Sequence, residues 1–324
     1  MQLLDGKKLA AEIRANIRDD ITDHDLSPGL AVILVGDDQA SHLYVTLKEK
    51  ACAEVGINFQ KFIYPVRNSP PQPSGRVSPV RGHVSNGVSA GVISNGVYPP
   101  DASEEEIIAR IEELNHRKDI NGILVQLPLP QGYDTDKIIG AMDAKKDADG
   151  FHPDNIKLLM AGTPYIYPGA HLGIIELIKM THVGLKGKNA AIISNSGVFA
   201  EPLIRMLEDC GAETHFAIPD APNAAEYIAD ADILVVAAGR PKFIKGGMIK
   251  PGAIVVDIGI SRTPTGLCGD VDFESARHRA SWITPVPGGV GPMTIAMLLS
   301  NVVDLYKKQN GLKGSTEPLC PVYI

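Results

Sequence analysis

The run Leu30-Ala31-Val32-Ile33-Leu34-Val35, closed by Gly36, reads as a buried strand and decides the fold class. Before it, Leu9, Ile13, Ile17 and Ile21 recur at helical spacing. After it, a helix-like segment over residues 40–55 leads to a strand near 58–64. The pattern then predicts a helix over 103–115 and a strand over 122–126, with the first unit ending around 154–162. A second series follows: helix 172–180, strand 189–193, helix 198–210, strand 213–218, strands 233–237 and 253–258, and a short strand near 282–284. Strands alternating with helices imply a parallel α/β design.

At 324 residues the chain is long enough for two domains, because single cores seldom grow much beyond roughly 250–300 residues. A hydrophobic content of 44% and a charged content of 21% describe an ordinary soluble globular protein. The net charge of −7, without a basic block, argues against a nucleic-acid surface. The first residues, Met1-Gln2-Leu3-Leu4-Asp5-Gly6-Lys7, enter an amphipathic helix and do not resemble a signal peptide. No apolar run reaches the roughly 18 residues that a membrane span needs. Cys52, Cys210, Cys268 and Cys320 lie far apart without metal-ligand spacing. They are expected to be unpaired, as in a reducing cytoplasm. No metal site is expected: Asp270 and Asp272 lack further ligands and read as an exposed turn.

Residues 65–100 interrupt the pattern with seven prolines, five glycines, six serines and no acidic residue. Val84-Ser85-Asn86-Gly87-Val88 recurs nine residues on as Ile93-Ser94-Asn95-Gly96-Val97, and Asn-Gly is a hairpin signal. Low apolar content and many prolines nevertheless favour a disordered insertion.

Three segments carry groups suited to chemistry. Tyr44 and Lys48, four apart, share one helix face. Gln126 ends an apolar strand before Leu127-Pro128-Leu129-Pro130, where an open α/β sheet presents ligand-binding groups. Asp149, in Asp147-Ala148-Asp149-Gly150, is either a turn residue or an acceptor for a heterocycle's donor edge. A fourth stretch, Pro285-Val286-Pro287-Gly288-Gly289-Val290-Gly291-Pro292-Met293-Thr294, is rigid and poor in side chains. It forms either a domain crossing or a wall for a planar ligand.

Together with Gly269-Asp270-Val271-Asp272, these segments resemble the bifunctional methylenetetrahydrofolate dehydrogenase/methenyltetrahydrofolate cyclohydrolase family, FolD. The resemblance covers nearly the whole chain outside 65–100 and the end of the sequence. It implies an N-terminal folate-binding catalytic domain (1–164 plus 288–312), a Rossmann-like NAD(P)-binding domain (165–287) and a cleft between them, while residues 313–324 read as a loose tail. It also implies that Lys48 is the catalytic lysine, Gln126 its partner and Tyr44 the folate-stacking residue. Asp149 would hold the pterin, and Pro287, Gly288 and Gly289 would contact folate. The implied reactions are oxidation of 5,10-methylenetetrahydrofolate with NADP⁺ and hydrolysis of the methenyl product to 10-formyltetrahydrofolate. A cytoplasmic homodimer formed through the dinucleotide domains is implied as well.

The cofactor half departs from the family pattern. Ser194-Asn195-Ser196-Gly197-Val198-Phe199-Ala200-Glu201-Pro202 stands where the family shows Gly-Arg-Ser, a further glycine and proline. Asn195 lacks the guanidinium fork that suits a 2′-phosphate. Pro168-Gly169-Ala170-His171 replaces Pro-Cys-Thr-Pro, and Ala217-Ile218-Pro219-Asp220 replaces a His-Ser segment. Ser194, Asn195, Ser196 and Ile260 remain the candidate cofactor contacts, and Arg240 is a candidate source of the lost positive charge. Three outcomes stay open: weak NADP⁺ binding, a change to NAD⁺, or an impaired dehydrogenase that leaves a cyclohydrolase. A scaffold descendant without catalysis is the alternative from another class.

Overall fold

The structure is a computed structural model that describes residues 1–65, 96–97, 102–264, 266–314 and 319–320. The first sheet is built from β2 (Gly29–Val35), β3 (Asn58–Tyr64), β4 (Gly96–Val97) and β5 (Gly122–Val125), after β1 (Gln2–Leu3) and α1 (Gly6–Asp23). All its pairings are parallel, in the order β4-β3-β2-β5. Its helices are α2 (Gln39–Val55), α3 (Glu104–His116) and α4 (Thr135–Gly140), followed by α5 (Pro153–Met160). Alternate residues of β2 supply opposite cores. Leu30, Val32 and Leu34 face a cluster shared with α1 and α2, and Ala31, Ile33 and Val35 a cluster shared with α3.

The second unit starts with α6 (Gly169–Lys179) and β6 (Asn189–Ser194), then α7 (Gly197–Asp209), β7 (Glu213–Ala217), α8 (Ala224–Asp230) and β8 (Ile233–Ala237). It continues through β9 (Ile254–Asp257), a hairpin of β10 (Ser261–Thr263) and β11 (Gly266–Cys268), α9 (Phe273–Ala276) and β12 (Trp282–Ile283). Its parallel sheet has the order β1-β12-β9-β8-β6-β7. The last helix, α10 (Val290–Gln309), joins both halves. Val290, Met293, Ala296 and Met297 enter the second core, and Leu298, Leu299, Val302 and Val303 enter the first. At about 1.5–3 kcal/mol for each large apolar side chain buried, this helix is a substantial clamp.

Several expectations change. The first residues enter α1 at Gly6 as expected, but ahead of it Gln2 and Leu3 add an unexpected strand to the far sheet, paired with Trp282 and Ile283. Around 154–162, where the first unit was expected to end, the chain forms α5. Cys210 and Cys320, expected to be unpaired, are joined by a disulfide with Cα atoms 5.5 Å apart. Cys52 and Cys268 are free. Of the 65–100 stretch, Gly96–Val97 form a short strand beside Phe62 and Ile63. The expectation of disorder otherwise falls on residues outside those described, as does most of the expected tail.

Candidate active site

In an open parallel sheet, ligands bind beyond the carboxyl ends of the strands, where the strand order reverses. In the first sheet the reversal lies between β2 and β5, since β3 and β4 run outward on one side and β5 on the other. Lys48 comes to this point on α2, and Gln126 directly follows β5. The Lys48 Nζ donates to Gln126 Oε1 at 2.7 Å. The Gln126 Nε2 donates to its neighbour's carbonyl, Leu127 O, at 2.8 Å, which fixes the amide with its oxygen towards the amine. The Gln126 backbone N–H is bound to Ile33 O at 2.8 Å, tying the residue to β2.

Asp149 is positioned by its own turn. Asp147 Oδ1 accepts the N–H groups of Asp149 and Gly150, and Oδ2 accepts those of His152 and the Asn155 side chain. Gly150 has φ +82°, and a Cβ there would lie 2.7 Å from the backbone of Pro168. Asn301 of α10 donates to Ala148 O and Tyr167 O, holding the turn from behind. Burial pushes the Lys48 amine below its ordinary range, while the Asp149 charge acts the other way. Burial pushes the Asp149 carboxyl up to about 6, against the opposing pull of Lys48. Tyr44 lies one turn before Lys48 and is half-buried. Cys52, one turn after Lys48, is fully buried, with its thiol pushed up to about 12. It is a core residue, not a nucleophile.

The loop with Pro287, Gly288 and Gly289 links β12 to α10, the helix that packs on α1, α2 and α6. Gly288 O accepts the Lys7 N–H at 2.9 Å, and a Cβ on Gly6 would sit 1.9 Å from Gly289 O. The start of α1 therefore fixes this loop. Pro287 is exposed, Gly288 half-buried and Gly289 buried.

The second reversal point lies between β6 and β8. Here Ser194-Asn195-Ser196 passes from β6 into α7, whose first N–H groups suit a pyrophosphate. Ser194 is 1% exposed, and its hydroxyl accepts the Ser196 N–H, so it shapes the loop from inside and does not face outward. Ser196 caps α7 by accepting the Phe199 N–H. The Asn195 amide donates to Ala238 O across the reversal point. Ile260, 48% exposed, follows Gly259, whose N–H is held by Asp257. The loop therefore fits a dinucleotide backbone, whereas Asn195 brings no charge to a 2′-phosphate. Arg240, the candidate replacement cation, is held by both oxygens of Asp220.

Some groups have structural roles that the sequence did not reveal. Buried His171 donates from Nε2 to Phe199 O at 2.7 Å, with its ring 5.4 Å from that of Phe151 and 4.5 Å from that of Phe199. It pins the first turn of α7 to α6, and burial pushes its pKa down to about 4. Asp257 and Asp270 form a buried backbone clamp. Asp257 accepts the N–H groups of Gly259, Asp270 and Val271. Asp270 accepts those of Ala238 and Gly239. This explains Gly259 and Gly269, where a Cβ would lie 2.2 Å from Asp270 and 1.9 Å from Asp257. His152 caps α5 through the Asp154 N–H. Among the described residues, no group of three or more acidic, histidine or cysteine side chains could hold a metal ion.

Comparison with known proteins agrees with this layout. Residues 4–71 and 80–149 match the model of the tetrahydrofolate dehydrogenase/cyclohydrolase catalytic domain. Residues 168–310 match that of its NAD(P)-binding domain. A bifunctional FolD protein of Polynucleobacter asymbioticus is 41% identical over 311 residues, 95% of this chain and 98% of its own. The crystal structure of FolD from Campylobacter jejuni superposes with a TM-score of 0.82 at 37% identity, covering 95% of this chain and 99% of that one. The Trypanosoma brucei enzyme, solved with NADP cofactor and inhibitor, gives a TM-score of 0.80 at 28% identity, covering 94% and 97%. With both halves matched at their own reversal points, the chain belongs to the tetrahydrofolate dehydrogenase/cyclohydrolase family.

Proposed function

We propose that Lys48, Gln126 and Asp149 form the centre at which this bifunctional enzyme of tetrahydrofolate metabolism runs both its reactions. The enzyme oxidises 5,10-methylenetetrahydrofolate and hydrolyses the methenyl product to 10-formyltetrahydrofolate. The observation that carries the site assignment is the 2.7 Å contact between Lys48 Nζ and Gln126 Oε1 at the mouth of the first sheet. The methenyl carbon is cationic and open to attack by water. A lysine whose ammonium form is disfavoured by burial offers a neutral amine that takes the proton of that water. Collapse of the adduct breaks one carbon–nitrogen bond. The freed nitrogen takes a proton back from the Lys48 ammonium, and the hydroxyl proton leaves to solvent. Gln126 orients the amine throughout.

Asp149 would accept hydrogen bonds from the donor edge of the pterin, and Tyr44 would lie against its face. Pro287, Gly288 and Gly289 would wall the folate. A nicotinamide dinucleotide, when bound at Asn195, Ser196 and Ile260 on the loop that Ser194 braces from inside, supplies the hydride acceptor. NADP⁺ fits the relatives, and the α7 start suits either dinucleotide. Parallel assays of methylene oxidation and methenyl hydrolysis on the purified protein test this reading. Turnover of both is expected, and absence of both contradicts it.

The assembly fits a homodimer built on the dinucleotide domains, because β7 stands at the edge of its sheet. Light scattering at micromolar concentration would give twice the chain mass. A cytoplasmic setting suits easily oxidised tetrahydrofolates, although the Cys210–Cys320 disulfide removes the argument from unpaired cysteines. Among the described residues no helix is long and apolar enough to cross a membrane.

A further inference from the structure

We infer that Asp220 and Arg240 together read the 2′ position of the adenosine ribose, and that the pair selects the unphosphorylated dinucleotide, NAD⁺. The inference rests on the β6–α7 loop being the dinucleotide site. In dinucleotide folds, a carboxylate just past the second strand accepts the ribose 2′-hydroxyl, whereas an arginine nearby accommodates a 2′-phosphate. Here β6 and β7 are the first two strands, and Asp220 lies three residues beyond the end of β7. Arg240 lies three residues beyond β8, on the other side of β6.

Both kinds of reader are therefore present, and the structure gives them to each other. Arg240 Nη1 donates to Asp220 Oδ1 at 2.6 Å, and Nη2 donates to Oδ2. The guanidinium lies 5.4 Å from the centre of the Phe243 ring. Its backbone leaves a fixed point, because Asp270 Oδ2 accepts the N–H groups of Ala238 and Gly239 at 2.6 and 2.8 Å. Both side chains are reachable from solvent, at 41% for Arg240 and 70% for Asp220.

The charge balance decides between the two ligands. A carboxylate has about four acceptor positions, so Asp220 can hold Arg240 with two and still accept a ribose hydroxyl. A 2′-phosphate would meet that same carboxylate, and the Arg240 guanidinium is already neutralised by it. Asn195 adds no charge, its amide being turned to Ala238 O. Glu201, exposed on α7, adds a negative charge. Lys242, two residues after Arg240, lines a separate cavity with Leu267, Cys268 and Phe273.

Calorimetric titration of the full chain with NAD⁺ and NADP⁺ tests this without turnover. The ratio Kd(NADP⁺)/Kd(NAD⁺) should exceed one in the wild type. In Asp220→Asn it should fall by about tenfold, the weight of one charge-assisted hydrogen bond, as Arg240 becomes free for the phosphate. Asp220→Glu, which keeps the charge, should retain most of the wild-type ratio. A merely structural role for the pair would weaken both ligands together and leave the ratio in place. A wild-type ratio below one, or a fall smaller than threefold in Asp220→Asn, overturns the inference while the dehydrogenase reading stands. Absence of binding by either dinucleotide overturns both.

Discussion

The two halves of the molecule solve the same geometric problem with different chemistry. Each presents its polar groups at the carboxyl end of a parallel sheet, at the point where the strand order reverses. At the first, Lys48 and Gln126 meet across the reversal with a buried amine and a neighbouring carboxylate whose protonation is displaced from the ordinary range. At the second, the polar groups satisfy one another: Ser194 with Ser196, Asn195 with Ala238, Arg240 with Asp220. The folate half holds a buried amine and carboxylate with displaced protonation, while the dinucleotide half holds polar groups that neutralise one another. The shared topology sets where polar groups converge in each half, and the side chains set how much charge each point carries.

The largest test of this contrast is Lys48→Met. Removing the amine should cut methenyl hydrolysis by about 10²–10⁴-fold, the usual worth of general acid–base assistance. Folate binding, read by equilibrium dialysis, should persist; retained hydrolysis would remove Lys48 from the mechanism. In the wild type, the proposed role of the neutral amine predicts that hydrolysis rises with pH through a midpoint below the ordinary lysine range, since burial lowers the Lys48 pKa. Next comes Gln126→Ala, which leaves the amine unoriented. A loss of about 10- to 100-fold in kcat, with a smaller change in KM, matches one hydrogen bond to a charged group.

On the dinucleotide side, Gly269→Ala places a methyl 1.9 Å from Asp257 Oδ2. Calorimetry should report a destabilisation of about 1–3 kcal/mol, the typical cost of overpacking. Folate affinity of the protein that remains folded should be unaltered. The smallest expected effect belongs to Asp149→Asn. Because burial raises the Asp149 carboxyl to about 6, the native state favours its protonated form. That contribution to stability is present at low pH and is lost as pH rises through about 6. The variant should therefore melt higher than the wild type at pH 7.5 and equally at pH 3. Wild-type folate affinity should decline below about pH 6, and the variant's should be flat and weaker at neutrality.

Much of this was legible in the sequence because the signals are local. The β2 run, the α2 face with Tyr44 and Lys48, and Gln126 at a strand end each follow from periodicity over a few residues. Element bounds moved by a few residues: the helix expected at 172–180 begins at Gly169, within the altered Pro168–His171 segment. What stayed hidden depends on distant partners. Gln2 and Leu3 are too few to show a strand period, and their pairing with Trp282 and Ile283 is purely tertiary. The Cys210–Cys320 link spans 110 residues, a separation at which spacing says nothing about proximity. Asp270 read as an exposed turn because it and Asp272 lack further ligands, yet it is fully buried under Ala238 and Gly239. Arg240 likewise looked free until Asp220, twenty residues away in the chain, was found against it.

One amine and one amide sharing a ligand are the centre of the proposed chemistry. A crystal structure with a stable analogue of methenyltetrahydrofolate puts that to the test. The expected result is the one-carbon bridge within hydrogen-bond reach of Lys48 Nζ, with the pterin edge on Asp149. An analogue seated elsewhere, with the Lys48–Gln126 contact untouched and facing solvent, would contradict it.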